Sequence, residues 1–263
     1  MMSRMSIANL VDAITGKNGT FNLEGAENWL QGRTLYGGAS ALIAYTAATR
    51  AFRDLPVLRA AQVAFVAPIG ESMNLHSEIV REGRNVTQVR SEIRTEKGCA
   101  LTAFWLFGAA REPNALHIAE KPGDWPGPPD QAEDPMPDKG PAFIQGNFDI
   151  RRAQSVRGSG DPVVRRWVRL KDRAGLDPVS ELILMGDVLP PGAMRAMKRM
   201  GPISSINWSF NVLDAAPATR DGWFLSENAS QHADSGYSSE RLRLWTSKGS
   251  QVLDGMQCAA IFG

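Results

Sequence analysis

The stretch GRTLYGGASALIAYTAATRAF, Gly32 to Phe52, decides how this chain folds. After Gly37 and Gly38 it runs through good helix formers without a proline, which predicts a helix of about four turns. Ala41, Leu42, Tyr45 and Ala48 form one apolar stripe, and apolar residues cover most of the remaining surface as well. A helix apolar nearly all round is buried in something larger. Its many small side chains let another backbone come close. Glycine at a helix start costs stability. Two readings account for the pair: a turn joining a strand to the helix, or a site that needs the bare N–H groups of the first turn.

Outward from that helix, the chain divides in two. Eight of the sixteen prolines fall between Pro113 and Pro141, in EPNALHIAEKPGDWPGPPDQAEDPMPDKGP. This composition favours extended, non-helical backbone. It sets the expected organisation: an N-terminal unit over 1–111, a proline-rich linker over 112–146 and a C-terminal unit over 147–263. The halves repeat an order of elements. LRAAQVAFVAP followed by a strand-rich run ending in AFWLFG is matched by ISSINWSFNVL followed by a run ending in CAAIFG. Phe65 corresponds to Phe210, Lys97-Gly98 to Lys248-Gly249, and Phe107-Gly108 to Phe262-Gly263. REGRN, TEKGC and TSKGS are hairpin signals. A helix and then antiparallel strands, twice, predicts an α+β repeat with one helix packed on each sheet.

Composition narrows the function. The 29 basic and 28 acidic residues leave a net charge of +1 and form no basic block, so nucleic acid is not the expected partner. A soluble partner or small ligand is. MMSRMSIANLVDAITG lacks the apolar core and cleavage site of a secretory signal. No window approaches eighteen uninterrupted apolar residues, so no membrane segment is expected and the protein reads as cytoplasmic. Cys99 and Cys258 are too few for a disulfide framework or a zinc site, and His76, His117 and His232 are scattered. No metal or cofactor is implied.

Three positions stand out chemically. In ELILMGDVLPP, Glu181 to Pro191, Asp187 lies in an apolar, helical run that Pro190-Pro191 stops. A carboxylate there must be solvated, paired or hydrogen-bonded. In the last strand, QVLDGMQCAAIFG, alternation puts Gln257 on one face with Leu253, Gly255, Ala259 and Ile261, where it needs a partner. In ISSINWSFNVL, Ser205, Asn207, Ser209 and Asn211 alternate with Ile206, Trp208, Phe210 and Val212. The polar row is either ordinary solvent exposure or the lining of a wet pocket.

A buried helix wrapped by a long antiparallel sheet is the hotdog arrangement, and the sequence resembles the acyl-CoA thioesterase II family, which carries two such units in one chain. The resemblance runs from about Asn22 to the C-terminus. It rests on QGRTLYGG, FVAPIGESMNLHSEIVREGRNVTQVRSEI, LILMGDVLPP, ISSINWS and VLDGMQC in that order. It implies a double hotdog that hydrolyses an acyl-CoA substrate, with Asp187, Ser205 and Gln257 at the places of the family's water-activating aspartate, hydroxyl residue and glutamine. The family's usual threonine is Ser205 here, and its Asp-His pair is Asn207-Trp208, which leaves Ser204 and Asn207 as substitutes for Ser205. Gly37 and Gly38 would leave N–H groups of the first helix open to the thioester oxygen. Approximate alignment puts Thr46 and Leu106 opposite Asp187 and Gln257 in the first half, so one site per chain is expected, and by analogy a homodimer of chains.

Two other functions compete: a hotdog enoyl-CoA hydratase or dehydratase, and a non-catalytic acyl-CoA binding or sensing module. The hydratase pairs an Asp with a His a few residues on, and neither helix is followed by such a pair. Presence of all three polar positions favours hydrolysis over binding alone.

Overall fold

The computed structural model describes residues 6–23, 25–132, 141–154, 160–219 and 221–262. Positions 133–140 of the proline-rich segment therefore lie outside the described residues. In the first half, α1 (Ile7–Asp12), β1 (Gly19–Asn22) and the small hairpin β2 (Leu30–Gln31) and β3 (Thr34–Leu35) precede α2 (Gly37–Ala51). Then come β4 (Leu58–Phe65), β5 (Ser72–Glu82), β6 (Val86–Thr95) and β7 (Gly98–Gly108). The second half runs α3 (Ala142–Asn147), β8 (Phe148–Arg152), β9 (Val163–Leu170) and α4 (Pro178–Gly186), followed by β10 (Ile203–Val212), β11 (Phe224–Asp234), β12 (Tyr237–Thr246) and β13 (Gln251–Ile261).

Eleven strands form one antiparallel sheet in the order β1-β5-β6-β7-β4-β10-β13-β12-β11-β9-β8. The halves meet at its middle, where β4 pairs with β10 around Gln62 opposite Ser209. The expected helix-then-strands order appears twice, as α2 with β4–β7 and α4 with β10–β13, and each helix packs on the strands of its own half. This is a double hotdog of the α+β class. The hairpins close where their residues allow: Gly98 and Gly249 take positive φ (109° and 95°), as do Ser235 and Gly236 at the β11–β12 turn.

Residues 38–48 of α2 are all buried, so its apolar surface is wrapped as its composition demands. Asp177 caps α4 by accepting from the Ser180 N–H at 3.0 Å, with Pro178 at the first helical position. That helix ends at Gly186, a little before the prolines. The segment after β7 carries little regular structure, yet Trp125 packs edge-on against Trp167 and Trp245 (5.8 and 6.3 Å) on the side of the second half away from the main core. No helix among the described residues is long and apolar enough to cross a membrane.

Candidate active site

The two helices bring their ends together. α2 and α4 are in contact with each other, and the start of α2 faces the end of α4. Asp187, the residue immediately after α4, reaches the first turn of α2. A Cβ on Gly37 would lie 2.2 Å from its Oδ2, and one on Gly38 would lie 2.7 Å from the Leu184 carbonyl oxygen. Real Cβ contacts do not come that close, so both positions require glycine for this approach. The opening pair of glycines is thus explained first by sterics: a carboxylate and a helix end from the other half occupy the space their side chains would fill.

Three groups hold that junction. The Gln257 Nε2 donates to Asp187 Oδ1 at 2.8 Å, and the Gly38 backbone N–H also hydrogen-bonds to the carboxylate. The Tyr36 hydroxyl donates to the Leu184 carbonyl at 2.6 Å, satisfying one of the acceptors a helix end leaves open. Tyr36 is itself fixed by stacking on Phe143 (4.8 Å between centroids) and Trp29 (6.2 Å). Its hydroxyl is held well above the ordinary phenol range by burial, with the Asp187 charge adding to the effect.

Asp187 has protein on nearly every side, and burial pushes its carboxyl up to about 7 against the donors from Gln257 and Gly38, which favour the charged form. The residue as a whole is half-buried rather than fully enclosed. A carboxyl that gains and loses its proton near neutrality is suited to take a proton from water and return it.

Ser205 reaches this face by an irregularity. Strict alternation groups it with Asn207, Ser209 and Asn211, which are exposed on the outer face. The β10–β13 register shifts between Ser205 and Asn207, leaving Ile206 as an extra residue. Ser205 then pairs with Ala259, and Trp208 pairs with Gln257, so Ser205 and Gln257 are diagonal neighbours on the inner face. The Ser205 side chain is part-buried and makes no hydrogen bond among the described residues. The two substitutes stand elsewhere. Ser204 is exposed, and Asn207 accepts the Cys258 N–H at 2.9 Å, a donor beside the register shift.

The Gly38 N–H at the start of α2 faces the Asp187 carboxylate and favours its charged form. Sequence reasoning passed over Tyr36, whose position directly before the two glycines was its only signal. Among the described residues the equivalent positions of the first half carry different side chains. A two-fold axis through the Gln62–Ser209 pair relates Ala61 to Trp208, and their partners on the next strands are Trp105 and Gln257. Trp105, one residue from the expected Leu106, sends its indole N–H to Ser91 and packs on Tyr45, while the Thr46 hydroxyl is spent on the Leu42 carbonyl.

Comparison with known proteins agrees with this architecture. Residues 26–108 match the family model of the acyl-CoA thioesterase N-terminal domain, and residues 121–261 match that of the C-terminal domain. The chain belongs to the acyl-CoA thioesterase family. Solved structures sharing the fold include a hot dog fold protein of Alicyclobacillus acidocaldarius, with 19% identity, TM-score 0.83 and coverage of 98% and 99% of the two chains. An acyl-CoA thioesterase II of Mycobacterium marinum gives 19% identity and TM-score 0.71 over 85% of this chain and 88% of its own. A thioesterase II candidate from Thermobifida fusca gives 18% identity and TM-score 0.81 over the whole of both chains. A search of curated protein sequences finds no significant match.

Proposed function

We propose that the chain hydrolyses acyl-CoA thioesters, with Asp187 as the general base. The observation that carries the reading is the Gln257–Asp187 hydrogen bond at a carboxyl whose pKa is raised to about 7. Family membership points the same way.

In the proposed reaction ionised Asp187 takes a proton from a water, and the water oxygen bonds to the thioester carbonyl carbon. Proton transfer by a placed side chain contributes about 10²–10⁴-fold. The Gln257 amide holds Asp187 through Nε2, leaving Oε1 to accept from the same water, and the Ser205 hydroxyl is the third group that orients it. As the negative charge moves from Asp187 to the carbonyl oxygen, the Gly38 N–H follows it, aided by the positive end of α2. Collapse of the tetrahedral intermediate breaks the C–S bond, and the proton on Asp187 goes to the departing CoA thiolate. The products are the free acid and CoA.

The test is free-thiol release from a panel of acyl-CoAs, short, long and aromatic, by wild type and Asp187→Ala. Hydrolysis by wild type and its collapse in the variant are expected. Tight acyl-CoA binding without any release by wild type would replace this reading with a binding module.

A further inference from the structure

We propose that the indole of Trp208 is the closed end of the acyl site and restricts the enzyme to short acyl chains. This rests on the acyl-CoA hydrolase reading above. A carbonyl carbon attacked by water at Asp187 and Gln257 places the start of the acyl group beside Gln257. Trp208 lies directly opposite Gln257 on the neighbouring strand and on the same face.

The indole edge bridges helix and sheet. A Cβ on Gly186, the residue before Asp187, would lie 2.7 Å from Cζ2 and 2.9 Å from Cη2, while a Cβ on Gly255 would lie 3.0 Å from Nε1. The ring thus touches α4 on one side and β13 on the other, and glycine stands at both contact points. Phe210 continues the plug, its ring centroid 4.2 Å from that of Trp208, and the two side chains are 0% and 1% exposed. Among the described residues the buried indole N–H has no acceptor, so no hydrogen bond there explains the choice of tryptophan. What the ring supplies is length: it fills the interval between helix and sheet next to the reacting carbon, where a longer acyl chain would otherwise run.

The test is kcat/KM for saturated acyl-CoAs from acetyl to palmitoyl. Wild type is expected to peak at butyryl or shorter and to fall by about tenfold or more at decanoyl, the scale on which a filled apolar pocket discriminates. Trp208→Ala should raise the decanoyl-to-butyryl ratio by about tenfold. Trp208→Leu, a smaller cavity, keeps the comparison available if the alanine variant does not fold, and near-ultraviolet circular dichroism reports folding. Wild type that cleaves palmitoyl-CoA as readily as butyryl-CoA overturns the proposal. So does a folded Trp208 variant with an unchanged ratio. Wild type that cleaves no acyl-CoA of any length overturns the hydrolase reading itself, and this inference with it.

Discussion

The Gln257 amide reaches the Asp187 carboxylate at 2.8 Å although seventy positions separate them in the chain. One sits on the last strand and the other at the end of α4, and the Gly38 N–H brings the first half to the same carboxylate. Both donors favour the ionised form, yet burial outweighs them and leaves the group titrating near neutrality.

Removing the amide should move that titration. In Gln257→Leu the carboxylate loses a donor while its burial remains, so its pKa rises further above the ordinary carboxylate range. The rate should fall about 10–100-fold at neutral pH and the midpoint of its pH dependence should move upward. Steady-state thiol release across the pH range checks this; a fall in rate with no movement of the midpoint would leave the amide a purely structural part.

Gly37 is expected to tolerate no side chain. A Cβ there meets Asp187 Oδ2 at 2.2 Å, so Gly37→Ala must displace the carboxylate or the start of α2. Such overpacking costs about 1–3 kcal/mol, and a shift of this kind at the reacting group costs about 100-fold in rate. Gly123→Ala is the control, since nothing lies within 4 Å of its added carbon. Paired thermal melts and activity assays separate the two; equal activity in both variants would contradict the contact.

Tyr36→Phe keeps the stacked ring and removes only the bond to the Leu184 carbonyl. Leaving that buried acceptor unsatisfied costs about 1–3 kcal/mol. Because Leu184 is three residues before Asp187, kcat should fall while KM changes little. Denaturant melts and a kcat–KM comparison test both parts.

Asp187 also sets a pH dependence of stability. Its folded pKa, about 7, lies above the ordinary 3.8, so the folded state holds this proton more tightly than the unfolded chain. The resulting stability is fully present below pH about 4 and is lost as pH rises toward and through 7. Asp187→Asn should therefore equal or exceed wild type in stability at pH about 8, by as much as a few kcal/mol, while losing activity. Melting curves of the two proteins at acid and alkaline pH decide it, and a variant uniformly less stable at alkaline pH would count against the buried, charged carboxylate.

Much of this architecture is written in local pattern, and the parts that are not have physical reasons. The apolar surface of Gly37–Ala51 predicts a wrapped helix, and a carboxylate in ELILMGDVLPP or an amide on the apolar face of the last strand marks a group needing a partner. Ser205 is different. Alternation alone sends it to solvent, and only the extra residue at Ile206 turns it inward, a register shift set by pairing with a distant strand. The glycines were ambiguous for a related reason: the atoms that exclude a side chain at Gly37 and Gly38 come in part from α4. Edge strands β1 and β8 are only four and five residues long, so the alternation in Gly19–Asn22 and Phe148–Arg152 is too brief to announce them.

The most direct measurement is the pH dependence of kcat/KM for acyl-CoA hydrolysis by wild type and Asp187→Asn, from about pH 5 to 9. A rate that rises with pH to a plateau with a midpoint near 7 in wild type, and that is lost in the variant at every pH, is the predicted result. Hydrolysis that is flat across the range, or that survives in Asp187→Asn, would contradict Asp187 as the base.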